Sequence, residues 1–292
     1  MRILITGKNG QVGTELARQN LQENAVFAGR ADCDLSRESS IREMVRRWEP
    51  KVIINAAAYT AVDQAEKDST LCFAINAAAP RVLAEEAARM NALLIHYSTD
   101  YVFDGTKPVP YVESDPIHPV SVYGESKAVG EAAIAQVGGR HLILRTSWVY
   151  SAHGKNFLRT MLRLGSERSE LRVVDDQVGA PTSAAAIARA TLKLVDAEPV
   201  ASGIYHMTAG GATSWCGFAR AIFDAAALSP IPRVQPISSS EYPTPARRPA
   251  NSVLANDKFA HTFGFRLPPW QQQLDQVLTG MQLAAPTNEV NP

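Results

Sequence analysis

Short apolar runs punctuate the first half of the chain at regular intervals. RILIT is followed by GQVGTELARQNLQ, AVFAG by SSIREMVRRWE, and KVIINAA by the alanine-rich stretch 74–91. LLIHYS then leads to the stretch holding Tyr123, and HLILRTS closes the series. Apolar runs at this spacing, separated by helical patterns, predict βαβ units and a parallel sheet with helices on both faces. The predicted class is α/β, a Rossmann-type doubly wound sheet, in which ligands bind at the carboxyl ends of the strands. Past Trp148 the pattern loosens. LRVVDDQVGAPTS and GIYHMTAGG read as short strands with turns, helical stretches lie around 157–168 and 215–227, and SSSEYPTPARRPAN reads as an irregular loop. The second half is therefore expected to form a smaller C-terminal lobe, and the tail APTNEVNP, 285–292, to be disordered.

Charge and cysteine usage narrow the classes of function. The 292 residues carry 29 Lys+Arg against 29 Asp+Glu, so no global basic field is available to hold nucleic acid or an anionic membrane. Any anionic ligand must be held locally. Cys33, Cys72 and Cys216 are far apart and show no CxxC spacing, which predicts buried free thiols in a reducing cytoplasm. None of the six histidines has metal-ligand spacing, so the residues themselves indicate no metal site. MRILITG is too short for a signal peptide or a membrane span and reads as the first strand.

TGKNGQVG places Gly7, Gly10 and Gly13 between that strand and the first helix. Glycines there permit a tight turn, close backbone approach to a diphosphate, and close helix–strand packing. This makes 1–147 the dinucleotide-binding domain, with part of the later chain returning to its sheet, and leaves 148–284 mainly as the substrate-binding lobe. AVFAG ends in Gly29 and Arg30, where an NADH site would carry an acid. A glycine leaves room for a 2′-phosphate and an arginine can pair with it, which favours NADPH; Asp32 and Asp34 close by keep NADH usable. Asp34 followed by Leu35 suits an adenine amino group and ring face, or else caps a helix starting near Ser36. Small residues at Ala57 and Ala58 let a cofactor lie against the backbone, with Thr60 able to bond it; plain packing would also explain the alanines.

Tyr123 and Lys127 lie four apart and share a helix face. An ammonium near a phenol lowers its pKa from about 10, so that the tyrosine can exchange a proton with a carbonyl oxygen, and the lysine can also bond ribose hydroxyls. Thr99 ends the strand LLIHYS and can bond the same substrate oxygen. His96, inside that strand, reads as a core histidine with its hydrogen bonds satisfied.

The segments GKNGQVG, NAAAYTAVDQAE, HYSTDYVFDG, VYGESK, LRTSWVY, DDQVGAPT, GIYHMTAGG and YPTPARRPANS resemble the extended short-chain dehydrogenase/reductase family over nearly the whole chain. The resemblance implies an NAD(P)H-dependent enzyme acting on a nucleotide-sugar. It implies that Gly10, Gln11, Val12, Asp34, Leu35, Ala58, Tyr59, Thr60, Tyr123 and Lys127 contact the cofactor. It also implies that Thr99, Asp100 and Trp148 meet the sugar nucleotide, and that Arg247 and Arg248 are candidates for its diphosphate. Members of the family can be homodimers associated with Mg²⁺. Related dehydratases carry an Asp-Glu pair after the threonine; here Asp100 is followed by Tyr101, so the glutamate is missing. Relatives also include epimerases, which keep their nicotinamide bound, and a non-catalytic regulatory subunit. Intact Thr99, Tyr123 and Lys127 argue for catalysis and for a reductase.

Overall fold

In the computed structural model, which describes residues 1–19, 25–197 and 201–284, six strands form one parallel sheet. Its members are β1 (Ile3–Thr6), β2 (Ala25–Ala28), β3 (Val52–Asn55), β4 (Leu93–Thr99), β5 (His141–Thr146) and a sixth strand, Gly203–His206. Across the sheet the order is β2, β1, β3, β4, β5 and the sixth strand. The chain steps outward from β1 to β2 and then crosses back to the other side of β1. The reversal between β1 and β3 opens a crevice at their carboxyl ends, the place where such sheets bind ligands. Between β2 and β3 the described chain supplies the Glu38–Trp48 helix and no further strand, which leaves β2 at the edge. The predicted tail at 285–292 lies outside the described residues.

Alternation along each strand builds two cores. Ile3, Ile5, Val52, Ile54, Leu93, Ile95, Leu142 and Leu144 face one side, where Leu16 and the Ala184–Asp196 helix cover them. Leu4, Ile53, Leu94 and Ile143 face the other, against Ile41, Val45, Val82, Leu83 and Ile134 of three helices. Strands buried on both faces must be apolar at every inner position, which is why they stand out as unbroken runs. The second face ends in a polar rung. Thr6, Asn55 and His96 stand in register on β1, β3 and β4, all three buried. The Val122–Val137 helix crosses this rung and turns Lys127 and Glu131 toward the sheet.

Past Trp148 the chain divides its residues between sheet and lobe. The Ala184–Asp196 helix and the sixth strand, taken from GIYHMTAGG, join the sheet. The remainder builds a separate core of Tyr150, Leu158, Leu171, Phe218, Phe223 and Trp270. The two helices expected in this half are Phe157–Glu167 and Trp215–Ala225; three more, Ala184–Asp196, Asp257–Phe263 and Trp270–Ala284, join them. Among the described residues no helix is long and apolar enough to cross a membrane.

Candidate active site

Thr99 and Tyr123 meet at the carboxyl end of β4. Thr99 is the last residue of the strand and is 5% exposed. Its hydroxyl donates to the Asp100 carboxylate at 3.0 Å and accepts from the Tyr101 N–H at 3.1 Å. Tyr123 sits in the first turn of the Val122–Val137 helix, whose start is fixed by the Ser121 hydroxyl accepting from the Gly124 N–H at 3.2 Å. The Tyr123 phenol has Thr99 and Asp100 as its polar neighbours. Lys127, one turn along, is 2% exposed.

The electrostatics depart from the sequence expectation that Lys127 pulls the phenol below its usual value. Burial pushes the Tyr123 phenol well above it; the Thr99 hydroxyl works in the opposite sense and Asp100 adds to the rise. The ammonium is held by the sheet instead. Lys127 Nζ donates to the Tyr97 carbonyl at 2.6 Å and lies 3.1 Å from His96 Nε2. Burial brings Lys127 down to about 8, against the raising effect of Glu131. Burial also lifts the Asp100 carboxyl to about 6, and its Oδ2 has no hydrogen-bond partner.

The cofactor candidates line the crevice between β1 and β3. Gly7 has φ +77°, and a Cβ there would come within 2.7 Å of the Ala56 carbonyl; one at Gly13 would come within 2.1 Å of the Gly7 oxygen. At Gly10 a Cβ would still crowd the Gly7 oxygen, at 3.3 Å. The turn is thus tight throughout, most severely at Gly7 and Gly13, as a turn that brings backbone close to a diphosphate requires. Gln11 reaches the lobe: its amide donates to the Val149 carbonyl at 3.3 Å and accepts from Ser151 Oγ at 2.8 Å. Val12 packs on the sheet core. Tyr59 is fixed by Asn76, whose side chain accepts from the Tyr59 N–H at 2.8 Å and donates to its carbonyl at 3.0 Å; Ala58 is half-buried and Thr60 exposed.

At the end of β2, Arg30 is exposed, and the closest cation to Gly29 is Lys8, which sequence reasoning passed over although it lies inside the glycine turn. Lys8 pairs with Asp32 at 2.6 Å, and Asp32 also accepts from the Gly29 N–H at 2.9 Å. Asp34 does not cap a helix starting near Ser36, since the helix begins at Glu38; it accepts from the Ser36 N–H at 3.0 Å and stabilises the turn. The Leu35 side chain belongs to the second-face core.

On the lobe side Trp148 takes φ +47° and stacks on Trp215 with ring centroids 3.5 Å apart. A Cβ on Gly179 would fall 2.5 Å from its indole, so only glycine leaves room for the ring. Arg248 pairs with Asp63 at 2.9 Å and lies near Tyr101, whose ring meets that of Tyr123 edge-on at 5.6 Å. Arg247 is exposed. A lobe cleft of about 1250 Å³ runs past Trp215, Gln177, Arg168, Arg172, Arg247 and Arg248; Trp215 links it to Trp148, and Arg248 to Asp63. Asn76 and Trp215 escaped the sequence reading. The signal for Asn76 was a lone amide in an alanine-rich helix; for Trp215 there was none, because its contact with Trp148 is long-range. The Mg²⁺ implied by resemblance finds no ligand set: among the described residues no group of three or more His, Cys, Asp or Glu could hold a metal.

Residues 1–283 match the family model described as RmlD substrate binding domain. A dTDP-4-dehydrorhamnose reductase of Burkholderia thailandensis is 50% identical over 286 residues, covering 93% of this chain and 96% of that one. The crystal structure of a dTDP-4-dehydrorhamnose reductase from Clostridium acetobutylicum superposes with a TM-score of 0.92 at 38% identity, over 97% of this chain and all of that one. A Bacillus anthracis enzyme of that name, solved in complex with NADP, gives 0.91 at 36% identity over 96% of this chain and 99% of the other.

Proposed function

We propose the following activity for this chain, which belongs to the RmlD substrate binding domain family: NADPH-dependent reduction of the C4 keto group of dTDP-4-dehydro-6-deoxy-L-mannose to dTDP-L-rhamnose, the last step of dTDP-rhamnose synthesis. The similar Bacillus anthracis structure holds NADP, which supports NADPH as the reductant. The tight glycine turn suits its diphosphate, and Lys8 and the exposed Arg30, near the end of β2, are the cations available to a 2′-phosphate. The bound nicotinamide supplies the hydride to C4. Tyr123 gives its phenolic proton to O4 as charge develops there, and Thr99, turning its hydroxyl away from Asp100, donates a hydrogen bond to the same oxygen. Lys127 balances the phenolate left behind and holds the ribose. Trp148 and Arg248 bind the sugar and the diphosphate. NADH serves as a weaker reductant.

The observation that carries this reading is the meeting of Thr99 and Tyr123 at the strand edge, one helical turn from buried Lys127. Tyr101 fills the place after Asp100 where a dehydratase carries glutamate and packs on Tyr123, which disfavours elimination chemistry. The test is NADPH oxidation with the 4-keto-6-deoxy sugar nucleotide, supplied with the upstream epimerase. Turnover to dTDP-L-rhamnose is expected. A folded protein that binds NADPH but does not oxidise it would leave the chain a regulatory subunit.

A further inference from the structure

The polar rung on the second sheet face ends at the catalytic lysine. Thr6 Oγ and Asn55 Oδ1 are 2.6 Å apart, Asn55 Nδ2 and His96 Nδ1 3.0 Å, and His96 Nε2 and Lys127 Nζ 3.1 Å. Thr6, Asn55 and His96 are each at most 2% exposed. We infer that His96, seated by Asn55 and Thr6, is a positioning residue for Lys127: its Nε2 accepts one ammonium N–H and so fixes where the lysine points. The inference rests on the reductase reading and adds a residue to it.

The hydrogen-bond chemistry sets the rest. An ammonium has three donors and no acceptor. The Tyr97 carbonyl takes one and His96 Nε2 a second, which leaves a single N–H to point toward the ribose beside Tyr123. A ring nitrogen that accepts from an ammonium carries no proton, so the proton of the neutral ring is on Nδ1. That N–H needs an acceptor, and the Asn55 amide oxygen fills the role when the two amide atoms exchange places; Asn55 Nδ2 then donates to Thr6 Oγ. A protonated His96 would face Lys127 with like charge, and burial together with Lys127 keeps the ring neutral well below its usual range. The other groups acting on Lys127 are Glu131 on its own helix and Cys72 of the Ser69–Phe73 helix, both raising its pKa. Arg145 of β5 bonds Glu131 and limits its pull, and Tyr123 stands one turn away.

Two measurements test this. In the full-length enzyme the basic limb of the kcat–pH profile reports loss of the Lys127–Tyr123 proton. His96→Leu removes the acceptor, destabilises the ammonium, and should move that limb to lower pH by about one unit. His96→Gln, which can accept the same bond, should restore it. A limb unmoved in His96→Leu, or equally displaced in both variants, overturns the inference. If His96→Leu does not fold, nitrogen NMR of the wild-type imidazole decides: a neutral ring protonated on Nδ1 is expected, and one protonated on Nε2 overturns the inference. Wild-type enzyme that binds NADPH without turnover would instead count against the reductase reading, and the imidazole spectrum would still decide the role of His96.

Discussion

The carboxyl edge of the sheet and the lobe cleft use polar groups in opposite ways. At the edge, Thr99, Asp100, Lys127, Glu131 and Arg145 are all at most 5% exposed, and nearly every donor has an internal acceptor. In the cleft, Arg247 and Arg172 are open to water, and Arg172 pairs across it with Glu241 at 2.6 Å. The edge is organised before any ligand arrives, as proton transfer demands. The cleft is a wide surface whose exposed arginines are free to exchange partners, which suits the diphosphate recognition proposed for it. Substitutions at the edge should therefore strike stability and turnover, and substitutions in the cleft should strike KM.

The strongest test of this division is Arg145→Met. The Arg145 guanidinium holds the Glu131 carboxylate in a two-pronged pair at 2.9 and 2.7 Å, both side chains buried. Removing the cation strands a buried charge and should destabilise the fold by about 3–5 kcal/mol, read by urea unfolding. A loss below about 1 kcal/mol would mean that the edge tolerates unpaired charge and is not preorganised.

Tyr123→Phe keeps the ring and deletes the proton donor. Turnover should fall on the order of 10²-fold or more while the melting temperature holds. Wild-type kcat in this variant would remove Tyr123 from the chemistry.

Asp100→Asn tests the edge through pH. The Asp100 carboxyl is raised to about 6 from an ordinary 3.8, so the folded state binds its proton more tightly than the unfolded state. The stabilisation is complete below about pH 4 and is lost as pH rises through about 6. The asparagine variant should therefore be more stable than wild type at pH 7, by on the order of 2–3 kcal/mol, and the gain should vanish near pH 4. A gain independent of pH would exclude titration of this carboxyl as its cause.

The smallest expected effect is in the lobe. Trp148→Ala removes one half of the indole stack and should raise KM for the sugar nucleotide by roughly tenfold, leaving KM for NADPH and kcat nearly unchanged. Equal losses for both ligands would show that Trp148 supports the junction between lobe and sheet rather than the substrate.

The two regions were also unequally legible. β1 to β5 could be read because a strand covered on both faces must be apolar throughout. Tyr123, Lys127 and Thr99 could be picked out as candidates because the proposed chemistry calls for those residue types at that local spacing. The Ala184–Asp196 helix was missed although Ile187, Thr191, Leu194 and Val195 form a buried stripe along it, because alanines dilute that stripe and the turn signals before it read as loop. The polar rung was invisible for another reason. Thr6, Asn55 and His96 each look like one polar residue ending or interrupting an apolar run, and only strand register makes them neighbours. Trp215 and Asp63 share that cause, since stacking on Trp148 and pairing with Arg248 join distant parts of the chain.

The late return of the chain to the sheet bears on biosynthesis. Until residues 184–206 have left the ribosome, β5 has an unpaired edge, and Leu142, Leu144 and Tyr97 lack the helix that covers them. A nascent chain halted before that point displays a hydrophobic face and an open strand, the two features that invite aggregation and chaperone capture. Completion of the sheet from the far half of the sequence raises contact order and places the slow pairing last. A release of the nascent sheet from chaperones is thus expected to await the arrival of Gly203–His206, whatever has already assembled around the glycine turn.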